Sequence, residues 1–115
     1  MANTFKVITK AGVTSADVIY TVAGSTTTVV LGLVLGNTTS SSITATVTLT
    51  SDTSSRAGNN DEANQAVELL TATPIPGNSS LEILSGNKVV LEATDTLSVT
   101  GSGATDVALS VMEIT

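Results

Sequence analysis

The amino-acid sequence predicts an all-β protein, an antiparallel β-sandwich of about eight strands with jelly-roll- or Ig-like topology. Three observations carry this. Short β-branched and aliphatic runs recur along the chain, with clusters of Gly, Ser, Asn, Asp or Pro between them every roughly 8–12 residues. Several runs alternate apolar and hydroxyl side chains with period two, which marks a strand with one dry and one wet face. The composition is 41% hydrophobic, 2% aromatic and 12% charged, with Ser and Thr filling most other positions. Such a balance favours packed β structure over a solvated coil. The 115 residues read as one sandwich domain, 1–115, large enough to bury a core without staples. No fixed-period repeat is present, which argues against a solenoid or propeller.

Met1–Lys10 (MANTFKVITK) is a polar start leading into a strand, with Phe5, Val7 and Thr9 on one face. Phe5, the single phenylalanine, is either a core plug or part of a partner surface. A turn is expected around Gly12. In Ala16–Val22, alternation puts Val18, Tyr20 and Val22 on one face and Asp17, Ile19 and Thr21 on the other. Thr26–Gly36 is the most apolar strand: strict alternation separates Val29, Leu31, Leu33 and Leu35 from Val30, Gly32, Val34 and Gly36. Two apolar faces mean a central strand covered on both sides, or one whose outer face meets another subunit.

Ile43–Thr50 alternates cleanly, with Ile43, Ala45, Val47 and Leu49 inside and Thr44, Thr46, Thr48 and Thr50 outside. Asp52–Gln65 has no strand character and reads as an exposed loop with a helical turn near Glu62–Gln65. Ala66–Ala72 resumes as a strand. Thr73–Asn78, with Pro74 and Pro76, is a stiff extended crossover that carries the chain between sheets. Leu81–Leu84, Lys88–Glu92, Thr96–Thr100 and Val107–Ile114 complete the set. In the last strand Met112 and Ile114 are apolar on the face opposite Val107, Leu109 and Val111, which implies a bulge near Val111 or a second dry face.

Composition narrows function. A net charge of −6, with Lys6, Lys10, Arg56 and Lys88 as the basic residues, argues against nucleic acid and against an anionic membrane surface as partners. The sequence has no cysteine and no histidine, so no thiolate site, Ser–His pair or Cys–His pair can form. The acids Asp61/Glu62 and Glu92/Asp95 are read as solvated loop or turn groups rather than a catalytic dyad. Asp95 is assigned to fixing its turn through backbone N–H groups. Asn59, Asn60, Asp61, Glu62 and Asn64 lack EF-hand spacing and are read as an ordinary polar loop. The Thr44–Thr50 row is read as a solvent face rather than an ice-binding one. No catalytic residue, metal site or cofactor is expected, and the protein is not expected to be an enzyme. Met1–Lys10 has no apolar core of a signal peptide, and Val29–Gly36 is too short to span a bilayer, so a soluble protein made in the cytoplasm is expected.

The apolar outer positions exceed what one small sandwich needs, so a closed homo-oligomer is expected, with Val30, Val34, Met112 and Ile114 at the subunit contact.

The start MANTFK, the corner Pro76–Leu84 (PGNSSLEIL), the run Leu91–Thr100 (LEATDTLSVT) and the ending Val107–Ile114 (VALSVMEI) resemble a group of short tailed-bacteriophage virion proteins, cyanophage-type examples among them. The likeness covers both termini and the final third, with Asp52–Gln65 outside it, and transfers no site residues. It implies a structural component of the virion, made in the host cytoplasm. The leading expectation is a capsid decoration (cement) protein that binds the outer shell as a symmetric oligomer, a homotrimer at three-fold positions. The alternative is a tail, neck or baseplate accessory, or a fibre-tip module. The partners expected are the protein itself and the major capsid protein or another virion protein. Phe5, Lys6 and Lys10, in an N-terminal segment (1–10) reaching a neighbour, are assigned to the shell contact.

Overall fold

A computed structural model of the chain describes residues 2–51, 64–84 and 86–115. Among them the chain forms nine strands and no helix: β1 (Asn3–Val13), β2 (Asp17–Thr21), β3 (Thr27–Asn37), β4 (Ile43–Thr50), β5 (Val67–Ile75), β6 (Ser80–Ile83), β7 (Val89–Leu91), β8 (Thr96–Gly101) and β9 (Thr105–Ile114). Two antiparallel sheets result. Sheet A has the order β1-β9-β3-β6, with β7 also on β3, and sheet B has the order β2-β8-β4-β5. The chain is therefore an antiparallel ribbon wound on itself, with β1 on β9, β2 on β8, β3 on β6 and β7, and β4 on β5.

Strands β6 and β7 occupy one position in the fold. β6 pairs with Leu33–Gly36 of β3, and β7 pairs with Thr28–Val30 of the same strand. Leu84 (φ 63°) and Gly86 (φ 77°) turn the chain out between them. Nine strands thus fill eight places, which reconciles the count with the expected eight. A crossover between sheets forms, but later than expected: Thr73, Pro74 and Ile75 still belong to β5 in sheet B, and Pro76–Ser79 joins it to β6 in sheet A. Pro74 is tolerated inside β5 because that strand is an edge with a free side. β1 runs further than expected, to Val13, so its turn begins later.

The inner faces meet in one core. Sheet A contributes Val30, Leu33, Leu35, Leu91, Leu109 and Val111, and sheet B contributes Ala45, Val47, Ile75, Leu97 and Val99. Each large aliphatic side chain buried this way stabilises the fold by about 1.5–3 kcal/mol. The register of β3 breaks in the middle: Val30 opposes Val111 and Gly32 opposes Ser110, leaving Leu31 as a bulge. Val30 therefore points inward with Leu33 and is 1% exposed. This corrects its expected place on the outer face, since strict alternation cannot anticipate an extra residue. β9 keeps its alternation, with Val107, Leu109 and Val111 buried and Met112 and Ile114 on the other side, so of the two alternatives the second dry face holds and the bulge lies on β3. A second bulge at Ile19 splits the expected Val18–Tyr20–Val22 face: Tyr20 and Val22 are buried and Val18 is exposed.

One end of the sandwich is cross-braced by Asn37, the buried last residue of β3. Its Nδ2 donates to the carbonyls of Ser41 (2.7 Å), Ile75 (2.9 Å) and Pro76 (3.2 Å). Its Oδ1 accepts from Thr39 N–H (2.9 Å) and the Thr39 hydroxyl (2.7 Å). Gly77 lies against the Ser40 backbone so closely that a Cβ there would overlap the Ser40 carbonyl. At the other end, buried Asp95 accepts the Glu92 N–H at Oδ2 (2.9 Å), and its own carbonyl accepts the Val22 N–H (2.9 Å). The turn-fixing role read for Asp95 is the one it plays.

Candidate interaction surface

Residues directly opposed in an antiparallel sheet share a face, so the register defines what each sheet shows to solvent. On the outside of sheet A, Phe5 opposes Met112, Met112 opposes Val29, and Val29 opposes Val90. This makes one apolar row across β1, β9, β3 and β7. Ile114, opposite Asn3 and Thr27, flanks it on one side. The next row on the other side is Val7, Ser110 and Gly32, followed by Thr9, Ala108, Val34 and Glu82. Phe5 is 71% exposed, Val7 66%, Val90 58% and Val34 38%, and Val29, Met112 and Ile114 are half-buried. Phe5 is therefore not a core plug. It belongs to a sheet face whose bulky side chains have no cover, well beyond the scattered apolar residues of an ordinary surface.

The outside of sheet B is different in chemistry. Thr46 opposes Thr100, Thr48 opposes Ser98 and Thr50 opposes Thr96, giving two adjacent hydroxyl rows along β4 and β8. Thr46 Oγ1 also accepts the Ala72 N–H at 2.9 Å, spanning the bulge of β5. The molecule is two-sided: one face apolar, the other hydroxyl-bearing.

The structure brings together residues that the sequence assigned to separate contacts. Phe5 sits beside Met112, with Ile114 and Val34 on the same face, whereas Val30 is in the core. Lys6 lies on the opposite side of β1. Its Nζ is 2.8 Å from Glu113 Oε1, and Glu113 Oε2 accepts the Tyr20 hydroxyl at 2.5 Å, which also contacts Thr28 Oγ1 at 2.8 Å. Lys6 and Tyr20 hold the Glu113 carboxyl below its ordinary range. Burial, followed by the Glu113 carboxylate, pushes the Tyr20 phenol up. This group ties β1 and β9 of sheet A to β2 of sheet B. Lys10 is 3.5 Å from Asp17, again within the chain. Sequence reasoning missed Val29 and Val90 as members of the face, because only the pairing of β3 with β7 and β9 places them there. A depression of about 330 Å³ lies at the small-residue end of the face, lined by Thr9, Ala11, Val34, Gly36, Asp106 and Ala108 among others.

Among the described residues no cluster of acids, His or Cys suits a metal. The candidate loop ligands Asn59, Asn60, Asp61 and Glu62, and the first half of the expected helical turn Glu62–Gln65, lie outside those residues, and Asn64 and Gln65 are not helical. Asn64 donates to Ser51 Oγ at 2.9 Å. No helix of the described residues is long and apolar enough to cross a membrane.

Two sheets wound in this order define the double-sheet jelly-roll class of β-sandwich. No protein family matches the chain, and no curated protein is similar to it. In fold it is similar to a solved protein of the Bacillus endospore appendages, which form disulfide-linked pili, with a TM-score of 0.52 and 15% identity over 99% of this chain and 87% of that one. A likeness of that degree shows the fold alone. The present sequence holds no cysteine with which to make such a link.

Proposed function

We propose that this protein is a structural subunit of a tailed-phage virion, a decoration (cement) protein that assembles as a symmetric oligomer and binds the outer shell. The observation that carries the reading is the uncovered apolar face of sheet A, centred on Phe5, Met112, Val29 and Val90. A face of that kind needs a protein neighbour. The hydroxyl face of sheet B suits the outward, wet side of such a layer. The jelly roll is a fold that capsid domains use, and the termini resemble phage virion proteins. Lys6 and Lys10 are already paired within the chain, so the apolar side chains of β1, rather than its charges, supply its contact with a protein neighbour. The test is mass spectrometry of purified particles from the virus that encodes the protein, with binding of the purified protein to undecorated shells. Saturable binding at symmetric sites is expected, and absence from the particle refutes the reading.

A second reading is a filament subunit, favoured by the likeness in fold to a pilus protein. Electron microscopy separates the two: discrete oligomers fit decoration, and long fibres of purified protein fit a filament.

A further inference from the structure

The outer face of sheet A has relief along its strands. One end carries the bulky row Phe5, Met112, Val29 and Val90. The other end is built of small residues, with Thr9, Ala108 and Gly36 around the depression of about 330 Å³. Midway between the ends lie Val7, Ser110 and Gly32, with open space above Gly32. Bumps and hollow are thus disposed on either side of a central line that crosses the strands.

We propose that this face pairs with the same face of a second copy, about a two-fold axis running along the line Val7–Ser110–Gly32. The inference rests on the reading of the face as an assembly surface and names its occupant. Rotation about that axis puts β1, β9 and β3 over their own equivalents, reversed in direction, and β7 over β6. Phe5 then meets Thr9 of the second copy, Met112 meets Ala108, Val29 meets Val34, and at the rim Val90 meets Glu82. At the centre of the face the two largest side chains, Phe5 and Met112, fall on smaller ones, which lets two sheets close to the usual separation of about 10 Å. Asp106 and Glu82 both lie at the small-residue end, so reversal carries the acids of the two copies away from each other, with Glu82 left at the rim. An axis parallel to the strands would stack the acids on each other and the bulky row on itself.

The size also fits. Strands of 10 or 11 residues make the long side of the face. At a rise of about 3.4 Å and a strand spacing of about 4.8 Å, four strands give about 35 by 19 Å. A stable interface takes about 800 Å² of accessible surface from each partner, and a face this large with side-chain relief supplies that. Symmetry decides the stoichiometry. A self-complementary patch closes as a pair, whereas a three-fold ring needs two different patches on every copy.

The experiment is native mass spectrometry and light scattering of the full chain from 1 to 100 µM (concentrations of about the usual range for such interfaces). A dimer is expected. Phe5→Asp and Ala108→Phe, one removing a bump and the other filling the hollow, are each expected to raise the dimer dissociation constant at least about tenfold. Val18→Asp, on the outside of sheet B, is expected to leave it unchanged. Circular dichroism reports whether each variant is folded. Ser110→Cys, beside the axis, is expected to give covalent dimers with a short bis-maleimide, and Thr48→Cys is not. A monomer throughout, a trimer, or a dimer indifferent to both Phe5→Asp and Ala108→Phe overturns the pairing. Absence of an intact dimer from virus particles would instead refute the decoration reading and leave the pairing in place.

Discussion

Replacing Asn37 by alanine removes the brace at one end of the sandwich. The side chain makes five hydrogen bonds, and the one to the Ile75 carbonyl is buried. A buried acceptor left without a donor costs about 1–3 kcal/mol, and each exchanged bond nearer the surface about 0.5–1.5 kcal/mol at most, because water replaces part of it. With partial relaxation the loss comes to about 3 kcal/mol. At an unfolding entropy of about 2.1 cal/mol/K per residue, a domain of this size then melts about 12 °C lower. Asn37→Asp sharpens the test. It is nearly isosteric and keeps an acceptor for Thr39, but it sets a carboxylate against the three carbonyl oxygens of Ser41, Ile75 and Pro76. It is expected to destabilise at least as much as alanine at neutral pH, with part of the loss recovered as the carboxyl protonates. Urea titration followed by circular dichroism measures both. A loss under about 1 kcal/mol for Asn37→Ala would refute the view that these bonds hold the end together.

Further predictions concern the clamp and two backbone sites. The Glu113 carboxyl is held below its ordinary value, so the native state contributes stability that is present above about pH 4.5 and lost as pH falls through the lower folded value. Glu113→Gln should flatten that part of the acid limb of a thermal-stability profile. The Tyr20 phenol is pushed up from 10.0, so stability falls as pH rises beyond that point, and Tyr20→Phe should lessen the fall. Gly77→Ala forces the Ser40 backbone to move, and an overlap of that kind should cost about 1–3 kcal/mol in a denaturant melt. Ala72 has φ 43°, a left-handed conformation that disfavours a side chain. Ala72→Gly should therefore raise stability by about 0.5 kcal/mol, the strain relieved less the extra chain entropy of glycine.

The strands were legible because period-two alternation survives in a sequence so poor in charge and so rich in β-branched residues. Alternation in Ile43–Thr50 and Val107–Ile114 gives the inner and outer faces that the structure has, and the prolines mark the passage between sheets. What failed was the count across bulges. Leu31 and Ile19 each add one residue to a strand, so the residues on the two sides of each bulge fall out of strict alternation: Val30 joins Leu33 in the core, and Val18 faces solvent while Tyr20 faces inward. Those bulges are set by pairing with β9 and β8, partners some eighty residues away, and no local pattern marks them. Phe5 was ambiguous for a related reason. Its strand ends at a sheet edge, where the alternation alone does not say which side the core lies on. Asn37 was passed over because an asparagine before a Thr/Ser-rich loop looks like any other turn residue until the Ile75 and Pro76 carbonyls arrive from the far side of the chain.

The interruption between β6 and β7 has a consequence for the condition of the protein at high concentration. A sandwich has four open borders, and a chain this β-branched invites fibril growth by strand addition at any of them. Each border is guarded differently here. β6 and β7 are short and are parted by a left-handed turn. β5 carries Pro74 and a bulge, β2 is five residues long and bulged, and β1 bears Lys6 and Lys10. Cross-β templating is thereby left one long border, β1, where the two lysines oppose it. Many copies can therefore be brought close together at high concentration with their rims resisting strand addition.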